Sequence, residues 1–404
     1  MYIRSITSFF HPRWPISQLT LQKVGIFAHQ AKETFSKAGY EVQTLRLATP
    51  PFPSFLFPED YVNAVTQFEV LAHSEDFEYL SLGPASPGED SAYTAIPEML
   101  ADSGGILFLS GHLTTPEGEI SLPAVQACAQ IIHKSAPLEK NGFANLRFAA
   151  LANVAPWAPF FPAAYHEGKK PAFALALEAA DLAVNAFANA ESLADARSKL
   201  IASIESHARV LEKQAQTLAS IYGFEFKGID FTLAPFPKEE TSIGHALELL
   251  GIPSLGLFGS LAAAAFLTDT LDRANYKRAG FNGLMLPLLE DSTLAQRGAE
   301  GILSVTDLLL YSSVCGTGLD TIPLPGDTSA EQLEAVLLDV AALSLRLNKP
   351  LTARLMPIPG KKAGDPTGFD FEFFANSKVL DVPAKPLTGL LAGNEEISIQ
   401  PRAR

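Results

Sequence analysis

Short β-branched or aromatic runs, bounded by glycine, proline or polar residues, recur along the chain and predict strands. They fall at residues 3–9, 42–48, 79–83, 105–110, 146–153, 172–178, 228–234, 255–258, 283–288 and 352–357. Apolar residues at helical spacing fill many of the gaps, at 18–38, 60–72, 122–133, 192–222, 242–250, 260–275 and 330–347. Strands alternating with helices predict an α/β architecture with much parallel pairing. The segment 192–222 is the clearest helix. Leu193, Leu200, Ile204, Leu211, Leu218 and Ile221 fall near one face, with Arg197, Glu205, Arg209, Glu212 and Lys213 off it. About 30 residues make it roughly 45 Å long, enough to run along the outside of a large body. The proline- and glycine-rich stretches at 49–58 and 82–88 read as loops, because strands resume soon after each.

The stretch 308–328 carries the most chemistry. An apolar run leads into Cys315, and Gly316 and Gly318 then end any helix. Asp320 follows, and Pro323 and Pro325 are expected to forbid regular pairing. The pattern predicts a thiol and a carboxylate on a glycine-shaped loop, and loops held by a rigid scaffold are where chemistry tends to sit. The plainer reading makes Cys315 a small core residue, since reactivity needs a lowered pKa and access. Cys128 shares a helix with Leu122, Val125 and Ile132 and reads as core. Thr328-Ser329-Ala330-Glu331 reads as a capping box for the helix that follows.

Three further residues are candidates. His166 ends an aromatic and proline-rich stretch, where it is a general base, a metal ligand or a satisfied polar group. Asp230 lies inside an apolar strand and needs a partner, such as Arg4 or Arg354, unless it faces a site. Asp291 or Ser292 is an N-cap, which leaves Glu290 freer. His166, Asp230, Glu290 and Asp320 are metal-ligand types, but no two stand at ligand spacing. The turn Phe258-Gly259-Ser260 opens a helix whose amides suit an anion, yet the Gly-Lys-Ser/Thr of a phosphate loop is missing. Neither a Gly-x-Ser-x-Gly elbow nor a dinucleotide fingerprint occurs, and no cofactor is indicated.

Composition narrows the function classes. The 404 residues are 47% hydrophobic and 18% charged, with a formal net charge of −14, which suits a large core. Basic clusters extend no further than Lys169-Lys170 or Lys361-Lys362, so neither nucleic acid nor an anionic membrane is expected as a partner. Neither cysteine belongs to a Cys-x-x-Cys pattern. The opening residues lack the layout of a secretion signal, and the most apolar run, 252–267, is interrupted by Pro253 and Gly259. A cytoplasmic protein with a small-molecule ligand is expected, and the apolar surplus is compatible with a homo-oligomer.

Several of these segments together resemble the domain-of-unknown-function family 711. Ile3-Arg4-Ser5-Ile6-Thr7 resembles its opening strand, and Ala152-Asn153 with Pro162-Ala163-Ala164-Tyr165-His166 resembles its Ala-Asn and aromatic-His segment. Ile229-Asp230-Phe231-Thr232-Leu233-Ala234-Pro235 is similar to its Asp-x-Ser/Thr-Leu-Ala-Pro strand. Gly280-Phe281-Asn282-Gly283, through Pro287 to Glu290 and Asp291, is similar to its Gly-x-x-Gly segment. The most specific match is Cys315-x-x-Gly318-Leu319-Asp320-x-Ile322-Pro323. The chain departs from the family at Glu167-Gly168-Lys169-Lys170 and around Phe258 and Ser260.

The resemblance implies a pyruvate formate-lyase-like fold, a closed α/β barrel of about ten strands surrounded by helices. It implies one domain over 1–404, with a C-terminal extension from about residue 380. In glycyl-radical enzymes of that fold a loop cysteine is the reactive thiyl, and Cys315 is the analogous residue. Their Arg-Val-x-Gly-Tyr radical motif has no counterpart here, so radical chemistry is not expected. Two functions remain. One is an enzyme for a small polar or anionic metabolite, using Cys315 with His166, Asp230, Glu290 or Asp320 as partner. The other is a non-catalytic binding or sensor protein on the same scaffold.

Overall fold

A computed structural model describes residues 1–314 and 316–401. Its strands are β1 (Tyr2–Phe9), β2 (Val42–Pro51), β3 (Tyr79–Gly83), β4 (Leu107–His112), β5 (Glu119–Ser121), β6 (Phe148–Ala152), β7 (Ala172–Glu178), β8 (Glu225–Ala234), β9 (Gly318–Pro325), β10 (Leu351–Ile358) and β11 (Glu396–Ser398). Nine of them form one mixed sheet in the order β8-β7-β1-β2-β3-β4-β6-β10-β9, while β5 and β11 pair separately. The middle five, β1-β2-β3-β4-β6, are parallel. The flanking pairs β7–β8 and β10–β9 are each internally parallel and join that block antiparallel, at β1 and at β6.

Helices cover one face of the sheet. Ile3, Ile6, Leu45, Leu47, Leu80, Leu107 and Leu109 point to that side and share a core with Phe27, Phe35, Phe68, Val125 and Leu337. Alternate residues point the other way, as the two-residue period of a strand requires. There Phe9, Ala48, Phe108, Ala172 and Ala174 pack with Phe161 and Ala164. Both faces are therefore largely buried, and most polar residues within the central strands are shielded from bulk water.

Helix termini follow local chemistry. The helix Leu193–Tyr222 matches its apolar stripe: Ser192 caps it, Gly223 ends it with φ of 74°, and Leu200, Ile204, Leu211 and Leu218 are buried. Leu193 and Ile221, at its ends, are exposed. The helix Ala330–Leu347 has its capping box on Ser329 and Gln332, one residue beyond the expected pair. Thr328 instead donates its hydroxyl to the Pro325 carbonyl at 2.7 Å.

Two strand expectations fail, and three strands, β5, β9 and β11, were missed. Residues 255–258 form a turn into the helix Ser260–Arg273, because Gly256 and Gly259 adopt left-handed φ values of 108° and 107°. Residues 283–288 make no regular ladder. Conversely, Pro323 and Pro325 do not prevent pairing: both lie in register with β10, opposite Met356 and Ile358. β9 is an edge of the nine-stranded sheet, where a missing N–H costs no ladder bond. Segment 277–288 touches both sheet edges. Arg278 bridges Ile229 of β8, and Pro287 bridges Asp320 of β9.

Candidate functional site

Three of the strands carry one arginine each on the face away from the main core. Arg4 lies on β1, Arg46 on β2 and Arg354 on β10. Arg4 sits where the β1–β7 register shifts, between Ile3 and Ser5. Arg354 sits where the β10–β9 register shifts, between Ala353 and Leu355. Such irregularities re-aim a side chain relative to the pleat. All three guanidinium groups line one cavity of about 90 Å³ with Glu290, Asp320 and a group of aromatic rings.

Two arginines are ion-paired. Arg4 donates to Glu290 Oε2 at 2.6 Å and to the Pro235 carbonyl at 3.1 Å. Arg354 donates to Glu290 Oε1 at 2.7 Å and to Asp320 Oδ1 at 2.5 Å. Glu290 thus bridges two guanidinium groups. Its burial alone would raise its pKa, but Arg4 and Arg354 together hold it below the ordinary glutamate range. Burial dominates at Asp320 and pushes its carboxyl up, against the pull of Arg354 and with help from Glu290. Two neighbouring carboxyl groups are therefore driven in opposite directions, the condition that separates an acid from a base. Glu178 approaches Arg4 at 3.8 Å and accepts from Gln43 at 2.8 Å.

Arg46 differs. Its Nε donates to Thr44 Oγ1 at 2.9 Å, and Thr44 in turn donates to the Arg4 carbonyl at 2.7 Å. Its guanidinium carbon stands 5.3 Å from the Tyr79 ring centroid and 5.2 Å from that of Phe161. Among the described residues no carboxylate lies within ion-pair distance of it. Only 8% of Arg46 is exposed. Burial first, and then the charge of Arg4, press its pKa down to about 9. A guanidinium has five N–H donors, of which Thr44 takes one, and no protein acceptor for the others stands among the described residues.

The cavity is closed on one side by segment 366–378, whose ends meet through a bridge between Pro366 and Lys378. Thr367, Asn376 and Ser377 tie that loop together, with Thr367 donating to Asn376 Oδ1 at 2.9 Å. Phe371 and Phe373 project from it into the cavity wall, and Arg4 lies 5.8 Å from the Phe373 ring centroid.

The expected site residues divide. Glu290 and Asp320 share the cavity. Cys315 lies outside the described residues. Its neighbour Gly316 crosses Gly283 so closely that a Cβ on Gly283 would stand 2.2 Å from the Gly316 Cα, so both positions need glycine. His166 is buried against Phe9, with ring centroids 6.3 Å apart, and does not line the cavity. Neither of its ring nitrogens has a hydrogen-bond partner among the described residues, so it is not the satisfied polar group expected.

Asp230 is likewise not paired with Arg4 or Arg354. It accepts from the backbone N–H groups of Phe281 at 2.7 Å and Asn282 at 3.0 Å, and from the Thr232 hydroxyl. Burial raises its pKa to about 6 against those bonds. Its role is to clasp the 280–283 turn. Asp291 is the N-cap expected: it accepts from Thr293 and Leu294 and also from Ile243 and Gly244. Among the described residues, no three His, Cys, Asp or Glu side chains are placed to hold a metal ion.

Arg46, Thr44, Tyr79 and Phe161 were missed from sequence. The available signal was a single arginine in each of three apolar strands: Ile3-Arg4-Ser5, Leu45-Arg46-Leu47 and Ala353-Arg354-Leu355. In a sheet buried on both faces each becomes an interior charge.

Residues 1–373 match the family described as Uncharacterised ACR (DUF711). The chain is 30% identical over 354 residues to a UPF0210 protein of Pyrobaculum arsenaticum, covering 83% of this chain and 78% of that one. It is 32% identical over 354 residues to a UPF0210 protein of Pyrobaculum aerophilum, with 82% and 76% covered. A UPF0210 protein of Oleidesulfovibrio alaskensis is 27% identical over 375 residues, with 87% and 81% covered.

Proposed function

The chain belongs to the DUF711 family, and from that membership and the cavity geometry we propose an enzyme that acts on a small anionic metabolite anchored by Arg46. The observation that carries this reading is a buried guanidinium with one protein acceptor and open donors. A buried charge without a partner is costly, and a fold retains one where a ligand supplies the opposite charge. Segment 277–288, bridged to both β8 and β9, acts in this reading as the tenth strand of a pyruvate formate-lyase-like barrel around the cavity.

Asp320 accepts from Arg354 at the cavity wall, with burial pushing its carboxyl up, and Glu290 is held ionised between its two arginines. Cys315 is the nucleophile in this reading, five positions before Asp320 in the sequence. A non-catalytic binding protein is the second reading. It is favoured by the positions of His166 and Asp230, neither of which lines the cavity.

Alkylation kinetics separate the two. Cys128 is the internal control, because it is fully buried and burial pushes its thiol far up. The enzyme reading expects rapid modification of Cys315 at neutral pH with Cys128 silent, slowed by small anions in the wild type but not in Arg46→Gln. If both thiols stay unmodified until the protein unfolds, Cys315 is no nucleophile in the resting protein and the binding reading takes over.

A further inference from the structure

The chemistry of the same cavity narrows the class of anion. Its lining groups with full charges are Arg4, Arg46 and Arg354 against Glu290 and Asp320. Arg4 and Arg354 are already matched by the two carboxylates, and Glu178 adds negative charge behind Arg4. Among the groups that line the cavity, Arg46 is the one charge with no ion-pair partner among the described residues. A monoanion neutralises it. A dianion would bring a second negative charge into a buried network whose other lining cations, Arg4 and Arg354, are already ion-paired, which is strongly unfavourable.

The rest of the wall is aromatic and apolar. Phe108, Phe160, Phe161, Phe371 and Met285 surround the space next to the guanidinium. Tyr79 and Phe161 hold its carbon at similar distances, and Nε is tied to Thr44. This leaves the terminal nitrogens as a fork, the geometry that a carboxylate fills with two parallel hydrogen bonds. A short hydrophilic acid would leave the rings unoccupied, whereas an aromatic or branched apolar body would bury them.

Resting on the anion-site reading above, we infer that this cavity takes monocarboxylates with an aromatic or branched apolar body, in preference to phosphate esters and dicarboxylates. Isothermal titration of the full chain with phenylacetate, acetate, succinate and phenyl phosphate tests it, in the wild type, Arg46→Gln and Phe161→Ala. Phenylacetate is expected to bind at least about tenfold more tightly than the other three, and Arg46→Gln to weaken it by at least about tenfold. Phe161→Ala should weaken phenylacetate while leaving acetate unchanged, which a global folding defect would not do.

Phenyl phosphate or succinate binding more tightly than phenylacetate, with both lost in Arg46→Gln, overturns the monocarboxylate class and leaves the anion site standing. Acetate binding as tightly as phenylacetate overturns the apolar body alone. Binding that ignores Arg46→Gln, or no binding by any of the four, overturns the anion site itself.

Discussion

Asp230 on β8 and Asp320 on β9 are both buried carboxylates in apolar strands, yet their surroundings use them differently. Asp230 turns both oxygens to its own backbone neighbourhood: the amides of Phe281 and Asn282 and the Thr232 hydroxyl. Asp320 meets a side chain, Arg354, at the wall of a cavity. A carboxylate answered by fixed amides holds a turn in place. One answered by a guanidinium, next to open space and a second carboxyl group, belongs to a network that a ligand can perturb. The type of partner, not the burial or the apolar flanks, separates a structural clasp from a candidate site.

Removing Arg354 should produce the largest effect. Arg354→Ala strips Asp320 of its guanidinium and leaves Glu290 with Arg4 alone, so two buried carboxylates lose charge compensation. A loss of about 3–5 kcal/mol is expected, read from the urea midpoint. A loss below about 1 kcal/mol would mean that water already compensates the network, and the contrast with Asp230 would collapse.

Asp230→Ala comes next. It orphans the Phe281 and Asn282 amides, and about 3 kcal/mol is expected from two unsatisfied buried donors. The same variant should bind phenylacetate as the wild type does. Loss of binding together with stability would place Asp230 within the site after all.

His166 gives an effect confined to acid. Burial first, then His11 and Lys227, hold its imidazole down at about 4, below the usual 6.5. The folded state therefore favours the neutral ring. That contribution is present above pH 6.5 and is lost as the pH falls through about 4. The stability gap between wild type and His166→Leu should shift against the wild type over that window and stay level between pH 7 and 8. A gap independent of pH across the whole range would mean that His166 finds a partner for its charged form.

Much of the scaffold was legible in the sequence because its signals are local. The stripe of Leu200, Ile204, Leu211 and Leu218, with Ser192 before it and Gly223 after it, defines a helix without reference to anything else. The β9 strand was hidden because prolines count against pairing only where an N–H is required, and being at a sheet edge is a tertiary fact. The arginine cluster was hidden for a similar reason. Arg4, Arg46 and Arg354 are far apart in the chain, and only the strand order and two register shifts aim them at one space. Glu290 was visible because a capping aspartate beside it, Asp291, accounted for the neighbour and left the glutamate unexplained.

Arg46→Met should have the smallest effect on stability, and its sign is the informative part. Arg354→Ala removes a partner from two buried charges. Arg46→Met removes a buried charge that has a single hydroxyl acceptor, while keeping an apolar stem between Tyr79 and Phe161. Replacing an uncompensated buried ion by an apolar side chain of similar volume is expected to stabilise the ligand-free protein, here by about 1 kcal/mol. Phenylacetate binding should be abolished in the same variant, and the thermal stabilisation that saturating phenylacetate gives the wild type should vanish with it. A destabilised Arg46→Met would mean that the guanidinium is anchored as firmly as those of Arg4 and Arg354. Its open donors would then be part of the scaffold, and the difference between a clasp and a site would have to be sought elsewhere in the molecule.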